Sequence, residues 1–66
     1  MSVAEIMEVN AESEKSCSDA IDQGIKQASK TVHGIKAAWV NGPQVVVDGD
    51  WIVAYRVDLK ITSVLD

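Results

Sequence analysis

Sixty-six residues with one cysteine and a net charge of −4 make a single small domain, residues 1–66, that no intrachain disulfide braces. A chain of this length buries only about 60% of its unfolded surface, and with no Cys/His cluster for structural zinc, association with further copies is the remaining source of stability. Six scattered Lys and Arg form no patch for a phosphate backbone, and no window nears the roughly 18 apolar residues of a membrane span, so neither nucleic acid nor membrane is an expected partner.

At the N-terminus, M-S-V-A-E-I-M-E-V has neither the basic segment nor the continuous apolar run of a signal peptide, so a soluble, cytoplasmic protein is expected. Within it Val3–Val9 fits either a strand or a short helix and is assigned as a strand. Asn10–Ser16 is polar and rich in turn formers and reads as a loop, with Glu12 and Glu14 as solvated charges. Ser16-Cys17-Ser18-Asp19 has the form of a capping box, a hydroxyl at the N-cap answered by a carboxylate at the third helical position, and opens a helix. Cys17, Ile21, Ile25, Ala28 and Val32 then share one stripe, with Asp19, Asp22, Lys26 and Lys30 facing out. Gly24 inside this helix costs about 1 kcal/mol relative to Ala, which points to a close approach by a neighbouring element. The helix is expected to end at His33-Gly34-Ile35, with Gly34 in the left-handed C′ position and His33 in the last turn.

Ile35–Val40 and Gln44–Val47 read as one strand with a bulge or kink at Asn41-Gly42-Pro43. Asp48-Gly49-Asp50, set between runs of apolar and β-branched residues, marks a tight hairpin. In the closing stretch Trp51–Leu65, Trp51, Val53, Tyr55, Val57, Leu59 and Ile61 alternate with residues that are polar from Arg56 onward, the signature of a strand with one buried face. At about 3.3 Å per residue such a strand spans close to 50 Å, so it must curl or reach out to another subunit. The fold class is therefore α+β, in the order β-α-β-β. A three-stranded antiparallel sheet carries one helix on one face, and no element of the chain covers the other.

Catalysis is not expected. Cys17 and His33, placed at opposite ends of one helix, stand about 24 Å apart and cannot form a nucleophilic pair. Cys17 reads as a small core residue and His33 as a surface residue. Asp48 and Asp50 are what a tight hairpin requires, and two carboxylates are too few for a calcium site. The residues that stand out are Ala37, Trp39 and Arg56. With Ala38 and Val40 turned to the helix, these three point to the uncovered face. An indole and a guanidinium there suit either a subunit contact or a flat aromatic ligand that is stacked and hydrogen-bonded.

Several phrases, in collinear order, resemble the dodecins: a short N-terminal strand, Asp19-Ala20-Ile21 in the first helical turns, Ala28-Ser29-Lys30-Thr31-Val32 at the helix end, and Tyr55–Ile61 in the last strand. The resemblance implies a hollow homododecamer in which each sheet wraps its helix. It also implies a non-enzymatic role in storing or buffering flavin, riboflavin or FMN, between tryptophans at two-fold axes, with a glutamine on the last strand contacting the ring. Here Ala37 holds the position of the stacking tryptophan and Arg56 that of the glutamine. Trp39, two residues on along the same face, is the substitute platform, and Arg56 donates hydrogen bonds but accepts none. Two alternatives stand beside this flavin-binding reading. One is a flavin-free assembly that stores ions such as calcium or serves structurally. The other is a small module that pairs with a larger protein through an exposed edge or face.

Overall fold

The computed structural model describes residues 3–65. Strand β1 (Val3–Ser13), helix α1 (Cys17–Ala28), strand β2 (Ile35–Asp48) and strand β3 (Trp51–Leu65) follow in the expected β-α-β-β order. The strands form one antiparallel sheet in the order β1-β3-β2, so the last and longest strand is the central one. It pairs with β1 from Val3↔Leu65 to Ser13↔Tyr55 and with β2 from Ile35↔Ser63 to Asp48↔Trp51. The molecule measures 51 × 19 × 13 Å, so β3 keeps its length and makes the chain a long blade.

Helix α1 has 12 residues and is about 18 Å long, and it covers only part of that blade. This corrects the expected burial of β3. Val57, Leu59 and Ile61 are buried under the helix, but Trp51 is 76% and Val53 45% exposed, and Tyr55 is half-buried. Beyond Tyr55, β1 has ended and the sheet is a two-stranded ribbon. The register there also slips: Val46 faces Ala54 and Val47 faces Ile52, so Val53 has no partner across the ladder and the alternation is reset.

Strand β1 runs four residues beyond Val9, because Asn10, Ala11, Glu12 and Ser13 continue the ladder against Asp58, Val57, Arg56 and Tyr55. The loop before the helix is correspondingly short. Ser16 caps α1 as expected, its Oγ accepting from the Asp19 backbone N–H at 2.9 Å. The reciprocal half of the capping box is replaced. Asp19 instead accepts from the buried Ser13 hydroxyl at 2.6 Å, while Ser13 Oγ accepts from the backbone N–H of Lys15 at 2.9 Å and of Ser16 at 3.5 Å. The Ser13 hydrogen bond, with smaller help from Gln23, Lys15 and Lys26, holds the Asp19 carboxyl below its ordinary pKa against an opposing desolvation effect. Because the folded-state pKa is the lower one, this stabilisation is complete above the unfolded pKa near 4 and is lost as pH falls through the folded value. Ser13→Ala is expected to lower the thermal midpoint at pH 7, and the gap from the parent protein should narrow below about pH 4. A gap that stays constant down to pH 2.5 would show that the hydroxyl acts only through its backbone acceptors.

On α1 the fully buried positions are Ala20, Gly24 and Ala28, with Cys17, Ile21 and Ile25 half-buried beside them. Small residues at spacings of four let the helix lie close to the sheet. A Cβ at Gly24 would stand 2.7 Å from Leu59 Cδ1 and 3.0 Å from Ala11 Cβ, which explains a glycine in mid-helix. The helix stops at Ala28, five residues before the expected His33. Ser29 Oγ donates to the Lys26 carbonyl at 2.8 Å and Thr31 Oγ1 to that of Ala28 at 3.3 Å, and these local bonds close the last turn. His33 lies outside the helix and is exposed. Gly34, with φ +75°, turns the chain into β2, and its carbonyl accepts from the Val64 N–H at 3.0 Å.

Strand β2 is continuous, with the expected bulge: Asn41 faces Asp58 and Gln44 faces Arg56, so Gly42 and Pro43 together oppose the single residue Val57. The hairpin closes at Asp48↔Trp51, leaving Gly49 and Asp50 as its turn.

Candidate ligand site on the uncovered sheet face

Residues directly opposite in antiparallel strands share a face, so the register fixes what the uncovered side presents. Its rows, read β1 to β3 to β2, are Ile6, Thr62, Ala37; Glu8, Lys60, Trp39; Asn10, Asp58, Asn41; and Glu12, Arg56, Gln44. Helix α1 packs against β1 and β3 on the opposite side, over Val57, Leu59 and Ile61. Among the described residues no element lies over these rows.

Ala37, Trp39 and Arg56 are thus on one face, but in three different rows. Trp39 stands across from Lys60, and Arg56 is four residues from Lys60 along β3, about 13 Å at the strand rise. Arg56 is engaged within the chain. Its Nε and Nη2 donate to Glu12 Oε1 at 3.1 and 2.9 Å, with both side chains about half exposed. Glu12, expected to be a solvated loop residue, is therefore the partner of Arg56, and it holds that position because β1 extends past Val9.

Trp39 is 74% exposed. It borders a hollow of about 340 Å³ lined by Ile6, Trp39, Val40, Asn41 and Lys60. The hollow combines the aromatic plate of Trp39, the aliphatic Ile6, the Asn41 amide and the Lys60 ammonium group, with Val40, which has the parity of the helix side across from Leu59, completing the lining. This set suits a small planar ligand with polar substituents. Sequence reasoning singled out Trp39 and Arg56 and passed over Lys60. The signal for Lys60 was present: it has the parity of Arg56, and an equal count along both strands from the Asp48↔Trp51 pair sets it opposite Trp39, because the extra residue of β3 at Val53 offsets the extra residue of the β2 bulge.

No group of three or more His, Cys, Asp or Glu stands together as a metal site among the described residues. Cys17 is half-buried against the core. No helix among the described residues is long and apolar enough to cross a membrane.

Comparison with known proteins gives a consistent result. A family model described as Dodecin matches residues 3–66. A search among curated proteins finds no match. Among solved structures, a dodecin from Streptomyces davaonensis is similar at 23% identity with a TM-score of 0.91, the match covering 98% of this chain and 96% of that one. A variant of the dodecin from Thermus thermophilus is similar at 21% identity with a TM-score of 0.92, covering 100% and 98%. The tt0972 protein from Thermus thermophilus gives the same identity and score, with 100% and 97% covered. At these identities the likeness to the solved structures is one of fold.

Proposed function

Because the chain belongs to the dodecin family, we propose that it works without catalysis, as a homododecamer that binds and stores a small molecule, with riboflavin or FMN as the first candidate. Dodecins bind small molecules such as flavins and assemble as dodecamers. Residues 1–66 form one dodecin-like domain in this reading, and the free thiol of Cys17 fits a reducing, cytoplasmic setting. Assembly also answers a physical need, since one face of the sheet and the hairpin ribbon expose Trp39, Val45, Val47, Trp51, Ile52 and Val53.

The observation that carries the ligand reading is Trp39, an exposed indole on the rim of a small-molecule-sized hollow. Trp39 supplies the stacking surface, Ala37 leaves room beside it, and Arg56 donates from the far row. Trp39→Ala is expected to weaken flavin binding about tenfold, the scale of an aromatic stacking contact, with quenching of flavin emission lost in parallel. The check is a flavin fluorescence titration on material sized by gel filtration. Unchanged affinity in Trp39→Ala would remove Trp39 from the site.

A second reading, a flavin-free assembly with an ion-storing or structural role, is favoured by two departures. Ala37 offers no ring where the family stacks one, and the Arg56 guanidinium is already held by Glu12. A twelve-subunit peak that stays colourless and ignores added flavin would select it. A monomer or dimer of the 7.1 kDa chain would instead select the protein-interaction module.

A further inference from the structure

Of the two cations that β3 turns to the uncovered face, Arg56 is held by Glu12, whereas Lys60 has no ion-pair or side-chain hydrogen-bond partner among the described residues. Among the described residues the ion pairs are Lys26 with Asp22 and Arg56 with Glu12. Glu8 lies directly across from Lys60 on β1, yet the two do not join. Lys60 instead lines the hollow with Trp39, which faces it from β2. Resting on the reading of this face as a ligand site, we infer that the hollow selects planar aromatic ligands that carry an anionic group, such as a phosphate monoester, with the ring on Trp39 and the anion on Lys60 Nζ.

Position and size both support this. Lys60 sits on the central strand, so its backbone is fixed from both sides, by Glu8 on β1 and Trp39 on β2. Only its side chain is free to meet a ligand. The volume of about 340 Å³ lies at the lower end of the range for small-molecule sites, roughly 300–1,000 Å³, and fits a fused ring system with one substituent. The other charged groups facing Lys60 are Glu8 and, one row along β3, Asp58; β2 contributes the neutral Asn41. These carboxylates oppose an anion placed anywhere but on the ammonium group, so they sharpen its position while lowering its affinity. The preference is therefore modest at physiological salt, about fivefold, and grows as salt is lowered.

The test is a set of paired titrations on the assembled protein, followed by tryptophan and flavin fluorescence: FMN against riboflavin, and naphthyl phosphate against naphthol. The expected result is a preference of about fivefold for the anionic member of each pair, abolished in Lys60→Gln and increased about two- to threefold in Glu8→Gln. Lys60 is exposed, so its replacement leaves the fold intact, and circular dichroism checks this. If both flavins bind equally and Lys60→Gln changes nothing, flavin binding stands and the anion preference is overturned. If neither flavin binds but naphthyl phosphate outcompetes naphthol through Lys60, the anion preference stands and the flavin reading falls. No binding by any of the four overturns both.

Discussion

Leu59→Ala is expected to leave the protein at the edge of unfolding at 25 °C. Leu59 is 0% exposed and sits at the centre of the core, beneath α1. Removing such a side chain typically costs about 2–5 kcal/mol, part of it lost transfer energy and part the cavity left behind. At roughly 0.05–0.15 kcal/mol per residue, a chain of this length has only about 3–10 kcal/mol in total. Urea unfolding would register the change as a large drop in midpoint. The cavity would open toward Gly24, whose missing Cβ points at Leu59 Cδ1 from 2.7 Å. Gly24→Ala is accordingly expected to destabilise the parent protein by overpacking and to be neutral or favourable in the Leu59→Ala background. Additive effects of the two substitutions would mean that the helix does not rest on Leu59.

The second large effect is expected at Gly34. An alanine there meets two penalties at once. The φ of +75° is left-handed, which costs an L-residue about 1–2 kcal/mol, and its Cβ would stand 2.9 Å from the Val64 carbonyl oxygen. That oxygen cannot easily retreat, because the N–H of the same residue donates to Gly34 O at 3.0 Å. The sum is about 2–4 kcal/mol, with overpacking supplying the remainder. Gly42 provides the control, for it also has positive φ, +46°, but a Cβ there meets nothing within 4 Å. Gly34→Ala should therefore lower the thermal midpoint well beyond Gly42→Ala. Equal losses would show that strand β3 shifts freely at Val64.

What the sequence made legible follows the short-range physics. The order β-α-β-β, the Ser16 cap, the Asp48-Gly49-Asp50 hairpin and the bulge at Gly42-Pro43 all depend on a few neighbouring residues, and all are present. The bulge matters for the site because its extra residue sets Asn41 and Gln44, three positions apart on β2, on the same face as Asp58 and Arg56. Features that depend on distant partners were misread. Gly34 had the signature of a helix end, but the helix closes at Ala28, where the Lys30 and Thr31 N–H groups tighten to the Gln27 and Ala28 carbonyls and the Ser29 and Thr31 hydroxyls donate to the Lys26 and Ala28 carbonyls. Trp51 and Val53 continued the apolar alternation of Val57, Leu59 and Ile61, yet burial depends on where a 12-residue helix ends, and that is not written in the strand. Glu12 looked like a solvated loop charge because its partner Arg56 is 44 residues away. Lys60 looked ordinary for the same reason, until the register set it opposite Trp39.

The unequal lengths of helix and sheet divide the isolated chain into regions of different cooperativity. Amides of β3 from Val57 to Ile61 lie between two strands and under α1, so they exchange with solvent only when the whole core opens. Those from Trp51 to Val53 belong to a ribbon of two strands, a construction that is marginal by itself in water. They open locally, at a small fraction of the global free energy. Substitutions near the hairpin can thus change the order of its tip while leaving the unfolding midpoint of the core untouched, and the two properties are free to vary independently within one short chain.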